Sequence, residues 1–254
     1  MMDKKYIEYN IDQVKKFAIH KVRQCKIENI TSINFNYIEI NDLLPLNYYL
    51  NFIELVEIAT PFLKKKNLFE GGNTNKLYLD IFDERIEKDD SFDNNLRYFL
   101  IDLKELIKII SFELFQKFID HNLVPSNIMK LLPFSTFGQI LVRERKDFSI
   151  NPHLHNKQEI MDCLYYFPKN NDDITQGTVI YKKINEEVVV GDRISYENFD
   201  YKFFEEIKKF EYVPNKVIVW LNNEKSFHGA NPVAQPMKDN KKYIFFGMAS
   251  TKPV

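Results

Sequence analysis

The sequence predicts a mainly β fold flanked by helices, and three observations carry that reading. The strongest helical periodicity lies in the first half of the 254 residues. From about residue 131 onward, short apolar and aromatic runs alternate with turn residues, as strands do. No internal repeat or low-complexity linker divides the chain. The expected organisation is one domain over 1–254, with residues 1–130 mostly helical support carrying one or more strands and residues 131–254 forming the strand-rich core.

In order along the chain, 14–22 is amphipathic, and 30–40 reads as a strand in which Ile33, Phe35 and Tyr37 alternate with Asn34 and Asn36. Asp42 reads as the cap of a helix over 46–63 that ends or breaks near Pro61. Gly71-Gly72-Asn73 marks a turn before a short apolar run at 77–82. The strongest signal is a long helix over 96–119. Its Leu96, Phe99, Leu103, Leu106, Ile110, Leu114 and Phe118 form one stripe opposite Lys104, Glu105 and Lys108, which is the pattern of a helix packed across a sheet. Pro125 and Ser126 break it. In the second half, 139–142, 161–167 and 241–246 read as strands, and 197–210 is expected to be helical, with Phe199, Phe203, Phe204 and Ile207 on one side.

Composition narrows the function classes. A hydrophobic content of 44% with 15% aromatics argues against disorder. The net charge of −1 gives no basic excess, so no nucleic-acid partner is expected. Cys25 and Cys163 lie far apart, the latter inside an apolar run, and are expected to be reduced thiols. With no long uncharged apolar stretch, no membrane partner is expected and the protein is expected to be cytoplasmic. Composition says nothing of oligomeric state.

Three of the five histidines mark the candidate site. In Asn151-Pro152-His153-Leu154-His155, strand alternation aims His153 and His155 to one face while Leu154 turns back into the core. His228, in Ser226-Phe227-His228-Gly229, could add a third ligand from a distant strand, leaving other positions of a metal open. The plainer reading is a pair of hydrogen-bonding histidines and an unrelated third. His20 and His121 have no ligand spacing to anything.

Seven segments carry this pattern in order: Gln139-Ile140-Leu141-Val142-Arg143, Asn151-Pro152-His153-Leu154-His155, Cys163-Leu164-Tyr165-Tyr166-Phe167-Pro168, Gln176-Gly177-Thr178-Val179-Ile180-Tyr181, Pro214-Asn215-Lys216-Val217-Ile218-Val219-Trp220, Ser226-Phe227-His228-Gly229-Ala230-Asn231-Pro232-Val233 and Lys242-Tyr243-Ile244-Phe245-Phe246. Over the C-terminal half the chain resembles the Fe(II) and 2-oxoglutarate-dependent oxygenases, on their prolyl-hydroxylase-like side. The resemblance implies a double-stranded β-helix, a jelly-roll, cupin-like core buttressed by the N-terminal helices. It implies Fe(II) as the metal held by His153, His155 and His228, 2-oxoglutarate as co-substrate, and dioxygen and a small molecule as the other reactants, usually with hydroxylation as the outcome. It also implies Lys242 as anchor of the far carboxylate of 2-oxoglutarate, with Lys241 replacing it if the strand register slips by one. Tyr166 is implied as a hydroxyl bonding that carboxylate, and Arg143 as a cation facing the pocket, although Arg143 also belongs to a charged run typical of a solvated loop. By analogy of fold, 185–212 is expected to shape substrate specificity.

One position departs from the family. Position 155 is His where the family has Asp or Glu, so the three ligands bring no negative charge. Three-histidine iron sites also serve dioxygenases that use no 2-oxoglutarate, and an inactive barrel acting as a binding protein is the non-enzyme alternative.

Overall fold

The structure, a computed structural model, describes residues 10–65, 70–71, 76–88, 94–130, 133–143, 149–171, 173–185, 188–191, 197–231 and 240–251. The α-helices among these all precede residue 130: α1 (Ile11–Gln24), α2 (Leu46–Lys65), α3 (Arg85–Lys88), α4 (Asn94–Asp120) and α5 (Ser126–Met129). Asn10 caps α1, its Oδ1 accepting from the backbone N–H groups of Asp12 and Gln13. The long amphipathic helix is present as α4, with Leu96, Phe99, Leu103, Leu106, Ile110, Leu114 and Phe118 all buried.

The strands are β1 (Ile27–Ile30), β2 (Phe35–Ile40), β3 (Glu70–Gly71), β4 (Lys76–Asp80), β5 (Phe134–Arg143), β6 (Ile150–Leu154), β7 (Glu159–Tyr166), β8 (Val179–Lys183), β9 (Glu197–Asn198), β10 (Phe204–Lys209), β11 (Lys216–Leu221), β12 (His228–Ala230) and β13 (Lys241–Ser250). They form an eight-stranded sheet in the order β1-β2-β11-β7-β13-β5-β4-β3 and a five-stranded sheet in the order β10-β8-β12-β6-β9. The pairings are antiparallel. The N-terminal half therefore does more than support the sheets: β1 and β2 extend the large sheet beyond β11, and β3 and β4 extend it beyond β5.

Three local expectations change. The strand expected over 30–40 is a hairpin, because Asn34 takes a left-handed conformation (φ 51°, ψ 49°) that a short polar side chain tolerates and that folds β1 back on β2. The helix α2 starts at Leu46, well after Asp42, whose own φ is 53°, and it runs through Pro61 to Lys65. The helix expected over 197–210 is instead β9, a 3-10 turn and β10. Phe204 is buried while the neighbouring Glu205 and Glu206 are exposed, and pairing with β8 supplies the backbone hydrogen bonds that a helix would have made internally. Of the expected specificity segment, 186–187 and 192–196 lie outside the described residues, as do 72 and 73 of the Gly-Gly-Asn turn.

Two apolar clusters lie on opposite faces of the large sheet. One joins α1, α2 and α4 to the outer face, from Val14, Phe52 and Phe99 to Ile244, Phe246 and Met248. The other lies between the sheets and takes residues from both, including Leu141, Tyr166, Trp220 and Tyr243 from the large sheet and Ile180 and Ala230 from the small one. The two sheets thus face each other across a shared core. Cys25 and Cys163 are free thiols.

Candidate metal centre

His153 and His228 are direct partners across the β6–β12 ladder. That pairing brings two segments distant in sequence together, and their ring centroids are 4.1 Å apart. Gly229 permits the approach, since a Cβ there would stand 2.3 Å from the Ile150 carbonyl oxygen. His155 follows the end of β6, its ring centroid 5.2 Å from that of His153 and 4.6 Å from that of His228. One ligand atom from each histidine lies within 4.8 Å of the others, and all three residues are buried. Leu154 packs on the far side of the small sheet, as the alternation predicts.

The ring nitrogens are sorted by their partners. Nδ1 of His153 lies 2.9 Å from the Asn151 carbonyl oxygen and Nδ1 of His228 lies 2.9 Å from that of Ser226. Nδ1 must donate to a carbonyl, which leaves Nε2 of each ring with its lone pair available to a metal. Around His228, the turn is tied to the one that follows His155. Ser226 Oγ donates to Asn222 Oδ1, and Asn222 Nδ2 donates to the carbonyl oxygens of Asn156 and Glu159.

His155 differs in facing carboxylates. Its Nδ1 lies 3.0 Å from Glu159 Oε2 and 3.1 Å from Asp162 Oδ2. Burial pulls the His155 pKa down, but the charges and contacts of Asp162 and Glu159 outweigh it and push the value up to about 10. His228 goes the other way, held well below the ordinary value by burial and by the neighbouring His155, against the hydrogen bond to Ser226. Sequence reasoning missed Asp162 and Glu159. The signal was a lone Asp inside the apolar run Ile160-Met161-Asp162-Cys163-Leu164, a residue type seldom buried without a partner.

The two candidate lysines fall on opposite faces of β13. Lys242 is on the helix-facing side, where its Nζ donates to Glu57 of α2 at 2.6 Å. That corrects the expectation that Lys242 faces the co-substrate. Lys241 points between the sheets, 3% exposed, with its Nζ donating to the Gln176 carbonyl at 2.5 Å. The ammonium lies 5.2 to 5.9 Å from the ring centroids of Tyr212, Tyr166 and Tyr243. Four residues beyond Lys241, Phe245 shares this face and packs 4.9 Å from the His155 ring, which places the lysine and the histidines on the same interior. Alternation decides between the two lysines, and register fixes the alternation: Tyr243 pairs with Tyr166 on one side and Leu141 on the other.

The Tyr166 hydroxyl donates to Thr178 Oγ1 at 2.5 Å and accepts from the Thr178 N–H at 2.9 Å. Burial pushes its pKa well up, so it stays protonated. The Tyr212 hydroxyl closes both backbone groups of Lys242, donating to its carbonyl and accepting from its N–H, and so fixes the start of β13. The backbone of Arg143 is the ladder partner of Lys241; the Arg143 side chain lies outside the described residues.

No family model and no curated protein matches the chain. Among solved structures, similarity is found to a prolyl-4-hydroxylase from Pseudomonas putida, at 9% identity and a TM-score of 0.45 over 92% of this chain and 98% of that one. The epimerase SnoN, solved with Fe3+, α-ketoglutarate and nogalamycin RO, gives 9% identity and 0.47 over 93% of this chain and 83% of that one. HygX from Streptomyces hygroscopicus, with nickel and 2-oxoglutarate bound, gives 12% and 0.41 over 85% and 83%. At such distances the residues of this chain must carry the functional reading themselves. Among the described residues, no helix is long and apolar enough to cross a membrane.

Proposed function

We propose that the protein is a non-haem Fe(II), 2-oxoglutarate-dependent oxygenase acting on a small molecule, with its facing sheets forming a jelly-roll core within one domain. The observation that carries the reading is the convergence of His153, His155 and His228, with Nδ1 of two rings turned away onto backbone carbonyls. Three nitrogen donors suit a borderline divalent ion such as Fe(II), and a donor set of three leaves positions for a bidentate keto acid and dioxygen. The chemistry this metal supplies when bound is the coupled conversion of 2-oxoglutarate and dioxygen to succinate and carbon dioxide, with oxidation of a substrate C–H bond.

The chain's own residues bind, orient and exclude water. Lys241 anchors the far carboxylate of the co-substrate, a pairing strengthened by the desolvated tyrosine cage around its ammonium. Tyr212 holds the strand that presents it, and Thr178 fixes the hydroxyl of Tyr166, whose ring is one wall of the cage. Phe245 beside His155 and Trp220 beside His228 keep water from the metal's flank. A buried cation on the same interior face as the histidines favours a diacid co-substrate over the thiol chemistry of other three-histidine dioxygenases.

Calorimetry with Fe(II) or Mn(II), with and without 2-oxoglutarate, tests the reading. Wild-type protein is expected to bind the metal and then 2-oxoglutarate, and to release succinate with a suitable substrate. His153→Ala and His228→Ala are each expected to abolish metal binding. Metal binding retained in both variants removes the site. Metal binding and oxygen uptake with a thiol, without succinate, turns the assignment to a 2-oxoglutarate-independent dioxygenase. Metal binding with no turnover of any kind leaves a binding barrel.

A further inference from the structure

We propose that Asp162 is the metal site's displaced carboxylate: a positioning residue that acts through His155, orienting its ring and supplying from one residue further out the negative charge that position 155 lacks. The inference rests on the three-histidine metal site proposed above. Asp162 is 0% exposed, and neither of its carboxylate oxygens receives an aligned hydrogen bond. A carboxylate so buried is costly unless a positive charge compensates it. Its Oδ2 lies 3.1 Å from Nδ1 of His155, which also stands 3.0 Å from Glu159 Oε2.

A divalent metal on Nε2 makes the Nδ1–H of the same ring a stronger donor, which is the partner Asp162 otherwise lacks. The influence is reciprocal: a carboxylate on Nδ1 fixes the tautomer, turns Nε2 toward the metal and raises its donor strength. The fold gives Asp162 little freedom to do anything else. It sits in β7 between Trp220 on β11 and Gly247 on β13, and Trp220 itself packs 4.7 Å from the His228 ring. The carboxylate set differs from the other two histidines, whose Nδ1 atoms meet neutral carbonyls. The one ring standing where the related enzymes have a carboxylate is the one with two carboxylates behind it.

The test is Co(II) binding, followed by calorimetry and by the visible d–d bands of the bound ion, in a double-mutant cycle. In the wild-type background Asp162→Asn is expected to weaken Co(II) binding by roughly 10- to 100-fold and to shift the bands. His155→Asp places a third carboxylate against Asp162 and Glu159, so it is expected to bind Co(II) more weakly than wild type. Adding Asp162→Asn to that variant is expected to restore affinity, reversing the sign of the first effect. A merely structural Asp162 weakens both backgrounds alike, and that result overturns the inference. So does an Asp162→Asn protein with unchanged affinity and spectrum. A second equivalent of Co(II) that vanishes in Asp162→Asn also overturns it, by putting a cation directly between the carboxylates. Glu159→Gln, on a partly exposed side chain, is expected to show the same sign reversal at smaller size and carries the test if Asp162→Asn does not fold. A wild-type protein that takes up no Co(II) overturns the metal site and this inference together; binding by wild type with no effect of Asp162→Asn overturns this inference alone.

Discussion

The two faces of β13 carry the same kinds of residue to opposite ends. On the inner face Lys241, Tyr243 and Phe245 look across to the small sheet, with Phe245 against His155. On the outer face Lys242, Ile244, Phe246 and Met248 lie under the helices, and Lys242 is an ion-pair partner of Glu57. Both faces offer a lysine followed by apolar residues, so neither composition nor propensity separates them. Parity does. A side chain's role is set by which way the pleat turns it, and a shift of a single residue would exchange the proposed co-substrate anchor for a structural ion pair.

The comparison is sharpened most by emptying the outer face. Phe246→Ala is expected to cost about 3–5 kcal/mol of stability in urea unfolding, because the ring is buried between the sheet and the helices. Its folded fraction should still bind metal with wild-type affinity, and a variant that unfolds no more readily than wild type would show that this face is not the main core. Next in size is Lys241→Met, expected to raise the dissociation constant for 2-oxoglutarate 10- to 100-fold, about 1.5–3 kcal/mol for a lost bond to a charged group, with metal affinity unchanged. Isothermal titration reads both quantities, and an unaltered 2-oxoglutarate affinity breaks the assignment of the inner face.

Lys242→Met is expected to do the reverse. It should leave 2-oxoglutarate binding as it is and lower stability by no more than about 1 kcal/mol, since the pair with Glu57 is partly exposed. A loss of co-substrate affinity in this variant would return the role to Lys242. The smallest effect concerns pH. Partial burial pushes the Glu57 carboxyl up, but Lys169 and Lys242 together hold it below the ordinary 4.5. A depressed carboxylate stabilises the fold above the unfolded-state value, and that contribution is lost as the pH falls through the lower folded-state value. Melting curves of wild type and Glu57→Gln should therefore converge as the pH is lowered below about 4.5. Curves that stay parallel would show that the pair adds nothing.

Much of the site was legible because its signals are local. His153 and His155 announce themselves by alternation, and the α4 stripe by its period of three and four. Asp162 was legible in principle, as a charge in an apolar strand, but nothing in the sequence said what it would face. The hairpin at Asn34 and the strands in 197–210 were missed for a related reason. Asn34 looks like one more polar residue of an alternating strand until its φ is known, and the aromatic residues at 199, 203, 204 and 207 fit a helical stripe as well as a strand edge until β8 offers its hydrogen bonds.

The sequence alone determined the helical first half, the strand-rich second half and the three imidazoles, because periodicity and residue type act over a few neighbours. Only the tertiary structure decided that His228 would stand opposite His153, that Lys241 and not Lys242 would turn inward, and that two carboxylates would gather behind His155. Each of these depends on strand register between segments far apart in the chain, and register is settled by how whole faces pack, which no short stretch of sequence contains.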